Sequence, residues 1–456
     1  MLPETRQARA ATAIARRLHA EGYAALLAGG CVRDLLLGAV PKDYDVATAA
    51  EPERVMTIFP ESYGVGAHFG VVLVAEEVDG ERVVTEVATF RSDGSYSDGR
   101  RPDAVRYTTS AGEDAARRDF TMNGLFLDVE RATGECDLRA AVVDTVGGLA
   151  DLDAGLVRAI GDPQLRFAED HLRLLRGVRF AARLGFAVEA STRTAMRAMA
   201  PMLKRVSPER VREELTRMLT EGAARRAFEW MDETGMLAVV LPEIAAMRGV
   251  EQPAEFHPEG DAWEHTLRLL AQLEPGESAT LAWGALLHDV GKPATFRRAP
   301  DRIRFDGHVE VGVRIAEEIA RRLRFSREDA AQVAALVASH MRFGDVERMK
   351  ESTLRRFFRL ERFVEHLALH RMDCIAAHGR LEHWEYARSR WESMPPEAMR
   401  PPRLLTGDDL IAAGYAPGPR FRAVLDAVED AQMEGAVTTR EAALEMARRS
   451  MRDCNG

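Results

Sequence analysis

The sequence predicts an α+β domain at the N-terminus followed by an all-helical remainder, on three observations. Alternating strand-type runs cluster at 44–48, 69–78, 81–90 and 103–109. From residue 163 onward the apolar spacing is helical almost without interruption. Of 456 residues, 46% are hydrophobic and 29% charged, the composition of a chain that buries a core.

The elements follow in order. Residues 4–20 place apolar positions at helical spacing, and AALLAG at 24–29 reads as a strand ending in a Gly-Gly turn that enters a second helix. The four later runs add strands, so this first domain is expected to combine a sheet with helices. At about 150 residues per domain the length gives roughly three domains. The motifs divide the chain into four segments: a head at 1–150, a helical neck at 151–240, a helical body at 241–393 and a helical tail at 394–456. The Pro-rich stretch 394–403 is the expected linker before the tail.

The 62 basic and 72 acidic residues give a net charge of −10, which excludes a protein that coats nucleic acid through overall positive charge. The neck runs against that total, with 15 basic and 8 acidic residues between Arg158 and Arg226. Such a segment is either a set of solvated helix faces or a focused surface for a polyanion. All but four of the basic residues are arginine, whose fork suits phosphate. The four cysteines, Cys31, Cys136, Cys374 and Cys454, stand far apart, which argues against a thiolate zinc site or a disulfide framework and fits a reducing compartment. The N-terminus is broken by charge, and no run approaches the roughly 20 apolar residues of a membrane span. A cytoplasmic protein with no membrane partner is expected.

The chemistry begins at Gly29-Gly30-Cys31-Val32-Arg33-Asp34, followed by Asp43-Tyr44-Asp45. A Gly-Gly turn before a helix lets backbone N–H groups approach a phosphate, and the helix N-terminus adds partial positive charge. Asp43 and Asp45, two apart in a strand, face the same side. Two crowded carboxylates are costly unless a cation joins them, and oxygen ligands select a hard ion, Mg²⁺ carrying a nucleoside triphosphate. Glu86, in the neighbouring run VVTEVATF, is the natural third ligand. Without the Gly-Gly turn, the two aspartates would read equally well as turn caps.

These blocks resemble the polymerase-beta nucleotidyltransferase superfamily, and more narrowly the class II branch of CCA-adding tRNA nucleotidyltransferases and bacterial poly(A) polymerases. Further blocks match in order: Arg117-Arg118-Asp119-Phe120-Thr121-Met122-Asn123, the turn from Asp144 to Gly148, Arg166-Phe-Ala-Glu-Asp-His-Leu-Arg, and Arg179-Phe-Ala-Ala-Arg-Leu-Gly-Phe. Gly124 and His171 depart from the usual pattern without touching a chemical role. The resemblance covers 20–225 closely and implies a polymerase-beta-like head, a mixed or antiparallel sheet with helices. In that head Asp43, Asp45 and Glu86 would hold Mg²⁺, and Gly29, Gly30 and Arg33 would approach the triphosphate. It implies that Arg118, Asp119 and Asn123 contact ribose and phosphate, with Arg176 and Arg179 completing the nucleotide-binding set.

Asp170 and Arg173, at i and i+3 of an expected helix, project from one side. A carboxylate accepts from the exocyclic amine of cytosine or adenine while a guanidinium donates to the ring beside it. Uracil and guanine leave those groups unpaired, at roughly 1–3 kcal/mol each. The resemblance assigns this block to base templating; in an arbitrary helix the same pair is a surface ion pair. Between Glu86 and Arg117, the stretch with Arg91, Asp93, Gly94, Tyr96, Asp98, Gly99, Arg100 and Arg101 matches the family's flexible element and favours full CCA addition.

In the body, His288-Asp289-Val290-Gly291-Lys292 with His265 upstream resembles the HD phosphohydrolase pattern. The resemblance implies His265, His288, Asp289 and Asp373 as a core metal set, with His308 and His340 for a second ion. Imidazole with carboxylate suits a divalent transition metal, and Lys292 would hold phosphate. The alternative is an HD-derived fold that only binds tRNA. His257, His366, His370, His378 and His383 read as packing or surface residues. The tail, from Thr406 to Pro419, has turns that in the resembling enzymes grip tRNA.

The expected activity is therefore addition of C, C and A to tRNA from CTP and ATP with release of pyrophosphate, alongside a phosphohydrolase activity of the HD body. A bacterial poly(A) polymerase, a CC-only or A-only adding enzyme, and an HD phosphohydrolase with a nucleotide-sensing head are the competing readings.

Overall fold

The computed structural model describes residues 2–64, 70–94, 105–132, 137–255 and 257–453. Cys136, Cys454 and the expected Tyr96, Asp98, Gly99, Arg100 and Arg101 lie outside the described residues. The chain forms two compact units, Met1–Pro242 and Glu243–Gly456.

In the first unit, helix α1 (Arg6–Ala20) starts where the Thr5 hydroxyl accepts from Ala8 N–H, and it buries Ala8, Ala11, Ile14, Ala15 and Leu18 along one face. Strand β1 (Ala25–Ala28) leads into α2 (Gly30–Leu36), then β2 (Asp45–Thr48), α3 (Pro52–Ile58), β3 (Ser62–Gly64), β4 (Val71–Val78) and β5 (Glu81–Thr89). β4 and β5 form a hairpin closed by Asp79-Gly80, both with positive φ, the conformation that matches strand twist. β6 (Arg91–Asp93), β7 (Val105–Tyr107), α4 (Ala111–Ala116), β8 (Phe126–Leu127) and β9 (Val142–Val143) complete the head.

The main sheet has seven strands in the order β3-β4-β5-β2-β1-β8-β9. Its pairs are antiparallel except β2–β5, where Val46 pairs with Val87 in parallel, so the predicted mixed sheet holds. Phe90 and Phe126 meet edge-to-face beneath it at 5.9 Å. Asp144 then shapes a tight turn: its carboxylate accepts from the N–H groups of Val146, Gly148 and Leu149 at the start of α5 (Gly148–Asp153). A Cβ on Gly148 would lie 2.3 Å from the Thr121 carbonyl oxygen, so only glycine fits.

The neck follows with α6 (Pro163–Glu169), α7 (Leu172–Leu184), α8 (Ala190–Met199) and α9 (Pro208–Thr220). It is stitched to the head by backbone hydrogen bonds from Thr121 N to Arg158 O and from Ile160 N to Asp119 O.

The second unit is helical, apart from the ribbon Arg297–Arg298 with Ile303–Arg304. Its centre is the helix Ala279–Leu287, buried on every side from Thr280 to Leu287. The tail helices form their own small core around Leu410, Val424, Val428 and Ala443. Ion pairs from Arg356 to Asp430 and from Arg359 to Glu429 fasten that core to the body. The stretch 394–403 is not a free linker. Arg355 and Arg359 donate to the Ala398 and Met399 carbonyls, and a short helix forms at Pro396–Met399.

Candidate active site and metal centre

The first unit holds a pocket of about 540 Å³. Gly29, Gly30, Arg33, Asp45, Glu86, Arg118, Asp119, Asn123, Asp170, Arg173, Arg176 and Arg179 all line it, so head and neck residues more than 140 positions apart converge as expected. Gly29 sits at φ +72, and a Cβ there would press to 2.8 Å from Arg118 Nη1; glycine opens the turn and leaves the arginine its place. Arg91, Arg117 and Phe180 also line the pocket. Seven lining arginines against four lining carboxylates make it suited to a polyphosphate.

Asp45 and Glu86 stand one residue before the paired Val46 and Val87, and so on the same face of adjacent strands. Crowding by the protein and the charges of Glu86 and Asp43 push the Asp45 carboxyl up to about 6, with Arg118 opposing them. An acidic group held in that state fits a hard divalent cation. Two details correct the sequence expectation. Only Asp45 belongs to a strand; Asp43 lies in the preceding loop, exposed, and borders a separate groove with Thr5, Arg6 and Arg9. The three carboxylates are also not drawn as close as the ligand clusters of the second unit, whose donor atoms lie within 4.8 Å of one another.

The pocket arginines are held rather than loose. Arg33 is buried, donates to Asn123 Oδ1 at 2.6 Å and to Asp34, and lies over the Phe180 ring. Arg118 pairs with Asp114, which also holds Arg117. Asp119 is buried, and although burial opposes it, Arg176 and the amide of Asn123 keep its carboxyl far below the usual range. Arg179 is tied to Glu214 at 2.7 Å and Glu221 at 3.2 Å, so it walls the pocket through Phe180 rather than offering a free fork. Asp114, Glu214 and Phe180 carry these arrangements; Phe180 falls in the block that begins at Arg179, the i+3 and i+4 spacing to Arg117 and Arg118 marks Asp114, and nothing local marks Glu214.

The largest correction falls on Asp170 and Arg173. They do not share a helix. Asp170 is extended (φ −145, ψ 106) at the break between α6 and α7, and its carboxylate accepts from Leu172 N–H. An aspartate competes well for the free N–H groups of a starting helix, which is why the chain breaks there. Arg210 donates to both carboxylate oxygens, at 3.1 and 2.7 Å. Arg173 instead pairs with Glu169 at 2.5 Å and donates to the Arg117 carbonyl at 3.0 Å. Both residues still face the pocket, each steadied by a partner of opposite charge.

In the second unit the six expected ligands converge. His265 lies on the helix Ala262–Leu270, His288 and Asp289 follow Ala279–Leu287, His308 opens His308–Arg322, His340 follows Arg327–Ser339, and Asp373 lies on Phe363–Ala376. His265 Nε2 is 3.1 Å from Asp373 and 3.2 Å from His288 Nε2. Asp289 faces His308 at 3.9 Å and His340 at 3.7 Å. These contacts make two adjoining donor groups, His265/His288/Asp373 and Asp289/His308/His340. Gly291 permits the assembly, because a Cβ there would fall 2.0 Å from the His308 carbonyl oxygen.

The tautomers are set by geometry. His288, His308 and His340 place Nδ1 within 3.0 Å of the carbonyls of Ala285, Phe305 and Val337. A carbonyl only accepts, so each Nδ1 carries the hydrogen and each Nε2 presents a lone pair. The Nε2 atoms of His308 and His340 are buried without a hydrogen bond, which leaves their lone pairs available to a metal ion. Burial lowers His340 to about 4. His265, despite burial, is held up at about 9 by Asp373 and Glu259.

Two sequence expectations change here. Lys292 is not free for phosphate: it is buried, 2.6 Å from Asp289 and 2.5 Å from Gln252. His257 is not a bystander, since its Nδ1 meets Glu259 Oε1 at 2.8 Å in a group with His265. The loop supplying Gln252 and Glu259 has no periodicity, and only the nearby His257-x-Glu259 pattern hinted at it. His366 and His370 are buried packing residues, and His378 and His383 are exposed, as expected.

Residues 25–158 match the family described as poly A polymerase head domain, 185–248 match the probable RNA and SrmB-binding site of polymerase A, and 262–377 match the HD domain. The CCA-adding enzyme of Geobacillus thermodenitrificans is 42% identical over 235 residues, covering 52% of this chain and 55% of that protein, just over half its length. The CCA-adding enzyme of Levilactobacillus brevis is 30% identical over 424 residues, covering 93% of each chain. The CC-adding tRNA nucleotidyltransferase of Thermus thermophilus is 35% identical over 440 residues, covering 91% of each. Among solved structures, the Bacillus stearothermophilus CCA-adding enzyme in complex with CTP superposes with a TM-score of 0.73 at 27% identity, covering 99% of this chain and 100% of that one. Among the described residues no helix is long and apolar enough to cross a membrane.

Proposed function

From a chain that belongs to the family of CCA- and CC-adding tRNA nucleotidyltransferases, we propose an enzyme that completes tRNA 3′ ends, adding C, C and A from CTP and ATP with release of pyrophosphate. The observation that carries this reading is the pocket itself: a carboxylate pair on adjacent strands faces an arginine wall, and Asp170 and Arg173 border the same space. Asp43, Asp45 and Glu86 would hold Mg²⁺, which when bound neutralises triphosphate charge and eases deprotonation of the attacking hydroxyl. The Gly29-Gly30 turn and Arg118 seat the phosphates. Asp119 and Asn123, locked together, hold the ribose side of the pocket. Asp170 accepts from the amine of cytosine or adenine, and Arg173 donates beside it. The terminal 3′-hydroxyl of tRNA attacks the α-phosphate in line, forming the new ester as the bond to pyrophosphate breaks.

The four-part division is retained: head 1–150 for catalysis, neck 151–240 for base selection and RNA, body 241–393 with the HD centre, and tail 394–456 for tRNA. The family matches in the first three segments support it. In the body, His265, His288, Asp289, His308, His340 and Asp373 would hold a divalent transition metal and act on phosphate esters of nucleotides or RNA ends. We infer a cytoplasmic location, supported by the proposed tRNA substrate and by Cys31 and Cys374, both buried as free thiols.

Addition of CC alone is the second reading, favoured by the Thermus relative. Incubation with tRNA lacking its last three nucleotides separates the two. Two additions with CTP and a third only with ATP present establish CCA addition; arrest after two with both nucleotides establishes CC addition; unlimited A-tails mean a poly(A) polymerase.

A further inference from the structure

Three of the four histidines at the HD centre are braced by backbone carbonyls; the fourth is not. His265 is fully buried, and its Nδ1 meets a carboxylate, Glu259 Oε1, at 2.7 Å. The same oxygen lies 2.8 Å from His257 Nδ1. The Glu259 side chain is itself shut away from solvent, and its second oxygen has no hydrogen-bond partner. A buried carboxylate costs several kcal/mol unless its surroundings repay it, and this one stands on a loop with no helix or strand to require it. The neighbouring Gln252, from the same loop, grips Lys292 beside Asp289. The loop therefore reaches both donor groups of the centre from outside.

We propose that Glu259 is a positioning residue for a divalent metal ion at the HD centre: it fixes the Nδ1–H tautomer of His265, aims Nε2 at the ion, and raises the donor strength of that imidazole, with His257 anchoring the carboxylate. A carboxylate accepting from the far nitrogen of a ligand histidine makes the ring a stronger donor than a carbonyl does. His265 is thus the strongest of the four imidazole ligands, and metal affinity depends on a residue that never touches the ion. The inference rests on reading the body as a metal centre, and its test separates the two.

The full-length protein carrying Asp45→Ala, which silences the head, is titrated with Mn²⁺ while free Mn²⁺ is followed by electron paramagnetic resonance. Glu259→Leu should weaken binding roughly 10–100-fold. Glu259→Gln, which keeps an acceptor but loses the charge, should weaken it several-fold, and Glu259→Asp should restore part of the loss. Parent-like affinity in Glu259→Leu, with affinity lost in Asp289→Ala, overturns the positioning role alone. Parent-like affinity in Asp289→Ala as well overturns the metal centre and the proposal together. If Glu259→Leu does not fold, the isosteric Glu259→Gln decides, and unchanged affinity there overturns the proposal.

Discussion

The head pocket and the HD centre both gather acidic groups, but they do so in opposite ways. In the head, Asp43, Asp45 and Glu86 are solvent-accessible in the loop before β2, at its first residue and within β5, and the arginines around them are already paired within the protein. In the body, the donors come from five helices or their ends, and all but two of the six are less than one-tenth exposed; the exceptions are His308 and Asp373. Exposed carboxylates that repel one another suit an ion that arrives and leaves with its phosphates. Buried imidazoles with fixed tautomers suit an ion that stays. On the proposed function, the difference teaches that one chain would separate a turnover site from a resident site by burial and ligand type.

The sharpest way to break this comparison is to remove one acid from each. Asp45→Ala should lower nucleotide incorporation by on the order of 10³-fold, while Asp289→Ala should leave incorporation intact and abolish metal-dependent phosphohydrolysis. Loss of incorporation in both variants would show that the sites are not independent. Next in size is base choice. Asp170→Ala combined with Arg173→Ala should erode discrimination against UTP and GTP by about 10–100-fold, the equivalent of roughly 1–3 kcal/mol, in single-nucleotide incorporation assays. Arg210→Ala alone should erode it less, because it frees the Asp170 carboxylate without deleting it.

The two centres should also respond differently to pH. His265 is held up at about 9 by Asp373 and Glu259, so a metal ion binding its Nε2 must displace a proton. Metal affinity of the body should rise about tenfold per pH unit below 9, measured by equilibrium dialysis. The head acid is pushed up only to about 6, so incorporation should be level above that pH and fall below it, with the fall moved to lower pH by added Mg²⁺. The smallest effect concerns stability. Burial lowers His366 and His370 to about 4, against roughly 6.5 in an unfolded chain. The unfolded state then binds more protons, so this contribution is fully present above 6.5 and declines as pH falls towards 4, by up to roughly 1.4 kcal/mol per unit per histidine. Calorimetry at pH 5 and pH 7 should show the second unit melting earlier at the lower pH.

Legibility in the sequence followed element length and the reach of each contact. The β4–β5 hairpin announces itself through alternation and its Asp-Gly turn. β8 and β9, two residues each, carry no period, yet they extend the sheet beside the Gly-Gly turn. The pocket residues were legible because they fall in compact motifs. Their partners were not: Arg210 lies 40 positions from Asp170 and Glu214 lies 35 from Arg179, and no local spacing encodes such pairs. Helical periodicity also passes straight over the break at Asp170, because a single aspartate interrupting two apolar faces leaves the average pattern unchanged.

The seam between head and neck has a consequence for engineering. Arg166 and Arg173 donate to the carbonyls of Ala116 and Arg117 at the end of α4, and Phe120 forms a bridge with Ala159. A Cβ on Gly177 would press to 3.0 Å from the Phe120 ring. A graft that joins one relative's head to another's neck near residue 150 would part these contacts. A module that keeps these contacts, and those of Arg210 with Asp170 and Glu214 with Arg179, runs unbroken from β1 through α9, and on the proposed function the nucleotide preference of a hybrid should travel with that whole block.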